Sequence, residues 1–508
     1  MPYYVTTPIY YVNDAPHIGH AYTTLACDVL ARFMRLEGED VFFLTGTDEH
    51  GQKVEKSAMA AGVDPQTFTD RVSQNFRDLA VAMNFSNDDF IRTTEPRHTK
   101  AVQDLWKRLM DAGEIYLGSY SGWYSVRDET YYAESELVAG KAPTGADVEW
   151  VEEPSYFFKL SKWQEPLLKF YEDNPDFIAP VSRRNEMMSF VKGGLTDLSI
   201  SRTTFNWGVP VPGDDKHVMY VWLDALTNYM TAVGYPDQDS DSYKTFWPAD
   251  LHMLGKDIIR FHTVFWPAFL LAAGLQPPKR VFAHGWWTNE GQKISKSVGN
   301  VIDPLALIEQ YGLDQVRYFL LREVPFGNDG DFSHNAIVHR MNGDLANDLG
   351  NLAQRVLSMV HKNCNGVIPQ PGAFSEADNV LLDAARSLHG KTREAFLAQS
   401  FHKGLGDIWD VIGQGNRYVD EQAPWGLKKS DPERMGTVLY TLADVIRRIA
   451  ILVQPVMPES AGKLLDQMDV PQDKRSFGDL ETALTPGQAV PKPTGVFPRF
   501  VDETTDGA

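Results

Sequence analysis

Along this chain the spacing of hydrophobic positions changes period several times, and each change predicts an element. The opening Tyr3-Tyr4-Val5-Thr6-Thr7 is aromatic and β-branched, as a strand should be, and Pro8 ends its simple continuation. After the turn residues Asn13-Asp14-Ala15-Pro16, Leu25, Val29 and Phe33 recur at helical spacing and Gly38 closes the segment. A second apolar run, Val41 to Leu44, follows directly. Strand, loop, helix and strand in that order form the βαβ unit of a parallel sheet, whose loops and helix N-termini sit where a nucleotide phosphate can bind. Later strands of the same sheet are predicted at His252-Met253-Leu254 and Val281-Phe282-Ala283-His284, so the sheet is interrupted in sequence.

Between about Gly118 and Pro212 the texture turns aromatic and charged, with short alternating runs such as Trp123-Tyr124-Ser125-Val126 and Ser155-Tyr156-Phe157-Phe158-Lys159-Leu160. We read this stretch as an inserted domain. From about Asn342 the strand signals fade, and Leu345, Leu349, Leu352 and Val356, then Val438 to Leu452, trace amphipathic helices. A helical bundle is expected to fill the C-terminal part, ending in a loosely held tail within Ser476 to Ala508. The predicted class is therefore α/β: a Rossmann-like parallel-sheet domain with an insertion, followed by an α-helical bundle.

Composition narrows this picture. With 508 residues and 43% hydrophobic content the chain exceeds what one core holds, so at least two domains are expected. No apolar run reaches the roughly eighteen residues a membrane span needs, and the start lacks the layout of a signal peptide, so the expected location is the cytoplasm, without membrane attachment. Only Cys27 and Cys364 are present, which excludes a disulfide framework and a cysteine-rich zinc knuckle. The net charge of -20 argues against indiscriminate coating of nucleic acid, yet it still admits a polyanion guided along one basic track.

Two short motifs carry chemistry. In His17-Ile18-Gly19-His20, at the mouth of the first helix, two histidines lie three apart and the glycine lets a ligand approach the backbone. Zinc binding or a plain surface pair are alternative readings, with no third ligand evident nearby. Imidazole N–H donors beside a helix N-terminus suit a phosphate whose charge grows in the transition state. The second motif, Lys293-Ile294-Ser295-Lys296-Ser297, lies between Gly291 and Gly299, and its two ammonium groups on a mobile loop can close over a polyphosphate. Alone, such a pentapeptide reads as a solvated loop. The ordered pair is specific: two cationic clusters expected to converge on one triphosphate.

With both motifs the sequence resembles the class I aminoacyl-tRNA synthetases, Ile294 standing where the family pattern has Met. Within that class it resembles the methionyl-tRNA synthetases over essentially the whole chain. The resemblance rests on Thr7 to Val12 with Asn13, Thr47-Asp48-Glu49-His50-Gly51, Tyr220-Val221-Trp222-Leu223-Asp224-Ala225, and Gly255-Lys256-Asp257-Ile258 to Phe265-Trp266-Pro267. It implies catalytic roles for His17, His20, Lys293 and Lys296, with Gly19, Gly255, Asp257 and Ser295 joining them at ATP. It further implies a methionine pocket of Ile9, Tyr11, Asp48, Trp222, Ala225, Tyr229, Asp257, Phe261, His262 and Trp266, in which Asp48 holds the substrate ammonium beside Arg202. Aromatic walls suit a polarisable thioether through dispersion and sulfur–ring contacts.

Asn347, Asn351 and Arg355, four residues apart, fall on one helical face and can read splayed-out bases, with Pro424-Trp425 as a stacking surface. Without the resemblance the same residues read as a solvated face and a helix stop. With it they imply a reader of the CAU anticodon of tRNA(Met). The implied division is a catalytic domain over 1–117 and 213–290, a connective-peptide insertion over 118–212, a lysine-loop and stem-contact region over 291–341, and an anticodon-binding domain over 342–508. ATP with Mg2+ and L-methionine are the expected small-molecule partners, and a monomer is the expected form. Tyr124-Ser125-Val126-Arg127-Asp128-Glu129-Thr130 stands where the family's zinc cysteines fall, so no metal site and no structural zinc are expected. Two rival readings are a nucleotidylyltransferase and a catalytically silent RNA-binding relative.

Overall fold

The computed structural model describes residues 1–12, 15–128, 130–132, 134–294 and 299–501. Asn13, Asp14, Glu129, the lysine-loop residues Ser295, Lys296 and Ser297, and the end of the tail lie outside the described residues. The chain divides into two compact units, Met1–Cys27 with Val41–His284, and Asp28–Asp40 with Gly285–Ala508.

In the first unit, seven strands form one sheet. Its order is Tyr10–Tyr11, Asp40–Asp48, Pro2–Thr6, Leu251–Gly255, Val281–His284 and Ile178–Ala179, with Asp89–Arg92 also pairing to Asp40–Asp48. The pairings are parallel, for example Val5 with Leu251, Gly255 with His284, and Leu44 with Asp89. A parallel sheet is covered on both faces, which explains why Tyr4, Val5, Met253, Leu254 and Ala283, of either alternation, are wholly buried. Strand order reverses at Pro2–Thr6, so the crevice at the C-terminal ends of the central strands is the ligand-binding position of such sheets.

The inserted stretch, expected over 118–212, is more entangled than its texture suggested. Strand Ile115–Ser125 runs antiparallel to Glu149–Phe158, in register from Ile115 with Phe158 to Tyr124 with Glu149. Yet Ile178–Ala179 leaves the insertion and joins the main sheet beside Val281 and Phe282. A two-residue strand carries no periodicity that sequence could reveal.

The second unit contains a small sheet in which Trp287–Asn289 pairs parallel to Gly330–Phe332 and antiparallel to Gln292–Lys293. Glu290 and Gly291 both have positive φ, the conformation of a tight hairpin turn, so Lys293 stands on a hairpin strand. Helices follow. The run expected from Asn342 starts earlier, at His334–Arg340, where the Ser333 side chain accepts from the Ala336 N–H, and continues through a π-helical Met341–Gly350 into Asn351–Asn363. Helix Pro432–Val453 is buried over almost its whole length, as the centre of a bundle must be.

One buried cation organises this unit. Arg317 is fully enclosed, donating to Asp28 at 2.6 Å and to the carbonyls of Val456 and Pro455 at 2.8 Å each. Replacing Arg317 by Met leaves the two carbonyls without this donor inside the core and Asp28 with only the partly exposed Arg32, 2.9 Å away, of the two arginines that donate to it. The expected cost is about 3–5 kcal/mol, read as a lower urea midpoint, with Arg317→Lys less damaging; an unchanged midpoint would show that the pair does not hold the unit.

Candidate active site

The first helix, Ile18–Leu36, begins where the chain leaves the C-terminal end of the first strand and the short strand Tyr10–Tyr11. His17 precedes the helix and His20 lies in its first turn, their rings 3.9 Å apart. The backbone N–H of His17 donates to Nδ1 of His20 at 3.0 Å, and the N–H of Gly19 donates to Nδ1 of His17 at 3.1 Å. An Nδ1 that accepts cannot carry a proton, so both rings are held as neutral tautomers with the N–H on Nε2.

Burial acts in the same direction. Desolvation lowers the pKa of His17, opposed by Asp257, and pushes that of His20 well down, helped by the neighbouring His17. The cationic character read for 17–20 is therefore corrected: these are neutral hydrogen-bond donors. Gly19 is also required by the histidine beside it. A Cβ there would fall 2.9 Å from Cε1 of His17, so the glycine makes room for the histidine's own ring. Tyr10 completes the cradle, its ring edge-on to His20 at 4.7 Å and its hydroxyl bonded to Thr24 at 2.6 Å.

Around the same crevice, Gly255 ends its strand beneath Asp257, whose Oδ1 would lie 2.6 Å from a Cβ at that position. Asp48 ends strand Asp40–Asp48 and is buried. The acid beside it, Glu49, is committed to structure, gripped by Arg92 at 2.7 and 2.9 Å and by Thr94 at 2.6 Å. Arg202 donates to Ser199 and to the Ser201 carbonyl, stacks over Tyr220 at 3.9 Å and lies 3.9 Å from Glu153.

The aromatic candidates assemble on Val221–Leu226, Asn228–Thr231, the π-helical Phe261–Phe265 and Trp266–Ala272. Trp222 stacks flat on Phe261, ring centroids 3.5 Å apart and 11° from parallel. Tyr229, Ala225, His262 and Trp266 are buried, whereas Ile9 and Tyr11 are half-buried, with Lys53 over the Tyr11 ring at 5.7 Å. His262 gives its Nδ1 proton to the Ile258 carbonyl at 3.0 Å, so its Nε2 accepts from the Tyr229 hydroxyl at 2.7 Å. Sequence reasoning missed the second layer: His252 stacked on Tyr229 at 4.0 Å, Thr23 bonded to His284 at 2.7 Å, and Asp224 between two histidines. His284 ends a strand predicted correctly, and that position at the ligand end of the sheet was the available signal.

In the second unit Lys293 lies 5.8 Å from the Trp286 ring centre. Arg355 pairs with Asp420 at 2.8 Å and sits 5.8 Å from the ring of Trp425, which is exposed just after the left-handed Ala423 and Pro424 at the start of helix Pro424–Ser430. Asn347 falls in the π-helical stretch and accepts a hydrogen bond from Arg499, while Asn351 opens the following α-helix and is exposed. Asn347 and Asn351, with Gln354 and Arg499, line one cavity on this helical run. No group of three potential metal ligands occurs among the described residues, and no described helix is long and apolar enough to cross a membrane.

The buried histidines set a pH dependence. Burial lowers His17, His20 and His252, and takes His262 from 6.5 to about 4. Below about 6.5 the unfolded chain therefore binds more protons than the folded one, so stability is level above that pH and declines as pH falls toward 4. Asp224, held near 2 despite its burial, mainly by His50 and then His98, acts only below the usual carboxylate range. Urea midpoints measured from about pH 7.5 down to 5 should fall, and His262→Asn should make the slope shallower; a flat profile would mean that these rings are not held neutral.

Sequence and structure comparisons agree with this architecture. The profile described as tRNA synthetases class I (M) matches residues 3–149 and 144–357, and the anticodon binding domain of methionyl tRNA ligase matches 368–507. A methionine–tRNA ligase of Mesorhizobium japonicum is 60% identical over 99% of this chain and 98% of its own length; one of Rickettsia bellii is 58% identical over 98% and 99%. The structure of Mycobacterium tuberculosis methionyl-tRNA synthetase in complex with methionyl-adenylate superposes with a TM-score of 0.96 at 57% identity, covering 98% of this chain and all of that one. Its apo form gives 0.90 at 54%, covering 98% of each chain. A parallel sheet with paired histidines at its switch point, a cluster of stacked aromatic side chains and a helical C-terminal bundle are thus the framework of a chain that belongs to the methionyl-tRNA synthetases, which activate methionine with ATP and transfer it to tRNA.

Proposed function

We propose that His17 and His20 stabilise the transition state of methionine activation as neutral Nε2–H donors and transfer no proton. The observation that carries this reading is the pair of backbone N–H groups donating into both Nδ1 atoms at the start of the first helix. The methionine carboxylate attacks the α-phosphorus of ATP in line, the bond to the β-phosphate oxygen breaks, and methionyl-adenylate and pyrophosphate result. Charge accumulating on the non-bridging oxygens meets donors that are already oriented, so little reorganisation is needed during the step. The terminal adenosine of tRNA then attacks the acyl carbon through its 2′-hydroxyl, and AMP leaves.

ATP enters as its magnesium complex, the ion held chiefly by phosphate oxygens, as Mg2+ is in many nucleotide sites. Lys293 and Lys296 neutralise the departing pyrophosphate, with Gly19, Gly255, Asp257 and Ser295 contributing to the ATP site. Asp48 binds the substrate ammonium, while Ile9, Tyr11, Trp222, Ala225, Tyr229, Asp257, Phe261, His262 and Trp266 enclose the side chain. Asn351, Arg355 and Trp425, with Pro424 and Asn347, recognise a CAU anticodon; the proximity of Arg355 and Trp425 supports a joint stacking and hydrogen-bonding role. One chain carries both sets of residues, in keeping with a monomer, and its Cys27 and Cys364, neither of them in a disulfide, fit the reducing cytoplasm. The domain division given above from the sequence is proposed with these roles.

Two variants test the assignments. Lys296→Ala should slow methionine-dependent ATP–pyrophosphate exchange by about a hundredfold or more, and near-normal exchange would contradict its role. Asp48→Asn should raise the KM for methionine while leaving that for ATP unchanged, since it removes only the ammonium's counter-charge; equal shifts in both would sink the pocket assignment.

A further inference from the structure

Asp224 is fully buried, and its two carboxylate oxygens are taken by histidines from different parts of the first unit. Oδ2 accepts from Nδ1 of His50 at 2.6 Å, and Oδ1 accepts from Nε2 of His98 at 2.8 Å. His50 lies two residues beyond Asp48, at the end of the strand that places the proposed ammonium ligand. His98 belongs to helix Pro96–Asp111, and its Nδ1 lies 3.3 Å from the hydroxyl of Thr231, which donates to the Thr227 carbonyl at 3.0 Å. Asp224 itself sits between Trp222 and Ala225 on Val221–Leu226, while Thr231 ends the short helix that carries Tyr229.

One carboxylate therefore ties the segment just after strand Asp40–Asp48 and helix Pro96–Asp111 to the helix that carries Trp222 and Ala225. A single buried charge would be costly, and an ionised carboxylate at this depth is tolerable because two N–H donors face it. Removing the negative charge leaves an oxygen for one imidazole N–H and an N–H facing the other. These segments can then no longer be held by the same donor pattern.

We propose that Asp224 is a positioning residue that sets the distance between Asp48 and the aromatic wall on Trp222, Ala225 and Tyr229, and so governs methionine recognition without touching ATP. The inference rests on the methionine-pocket reading given above. It assigns to the His50–Asp224–His98 tie a function beyond packing, because a purely structural crosslink has no reason to favour one substrate over the other.

Steady-state ATP–pyrophosphate exchange on the full chain tests it. Asp224→Asn should raise the KM for methionine about tenfold or more, keep that for ATP within about twofold, and leave kcat at saturating methionine largely intact. Parallel loss for both substrates, or unchanged methionine KM, would overturn the proposal. If Asp224→Asn does not fold, His50 gives the same answer: His50→Asn places an amide N–H near the former Nδ1 and should retain methionine KM, whereas His50→Ala should raise it. Equal behaviour of those two variants would also overturn the tie. Asp48→Asn separates the readings: if it raises methionine KM while the Asp224 and His50 variants do not, the pocket stands and the tie fails; if it has no effect, the pocket reading itself falls.

Discussion

Two backbone N–H groups at the start of the first helix, donating into the Nδ1 atoms of His17 and His20, are the constraint on which the rest of this site depends. They decide at once which ring nitrogen carries the proton and which way each ring faces. Gly19 follows from that geometry, because any Cβ would press on the His17 ring. Tyr10, Thr24 and Phe76 follow from it too, since a neutral imidazole can be enclosed by aromatic edges where an imidazolium would lose hydration without a counter-ion.

The same logic extends outward through the first unit. Its parallel sheet is buried on both faces, so polar side chains at the strand ends and on the covering helices must find partners among themselves. Thr6 with His252, Thr23 with His284, Tyr229 with His262, and Asp224 with His50 and His98 are such pairings, each 2.6–2.8 Å long. They line the crevice with imidazole and hydroxyl groups already held in place, a setting in which added negative charge from a nucleotide meets oriented donors. Both π-helical stretches, Phe261–Phe265 and Met341–Gly350, coincide with residues proposed to contact substrate, consistent with the use of that rarer helix to redirect side chains.

Much of the architecture could be read from residue patterns, because long-range order here rests on strong local signals. Val41 to Leu44 and Val281 to Ala283 are continuous apolar runs, and a strand buried on both faces leaves that trace. The ordered pair of motifs led to the family. What escaped reading has a physical reason in each instance. Ile178–Ala179 is too short to show a period, and its place in the main sheet depends on Val281 and Phe282, a hundred residues later. The π-helical run Met341–Gly350 leaves no mark in spacing rules, which assume a uniform helix. Asp224 looks like one acid in an apolar stretch until the fold brings His50 and His98 to its two oxygens. The neutrality of His17 and His20 likewise depends on burial, which two histidines in a motif do not announce.

The central claim concerns protons, so the most direct test observes them. Nitrogen NMR of histidine-labelled protein at neutral pH, with His17→Gln and His20→Gln used to assign the signals, distinguishes imidazolium from either neutral tautomer. Both rings should appear as the neutral form protonated on Nε2. An imidazolium at either position, or a proton on Nδ1, would contradict the account.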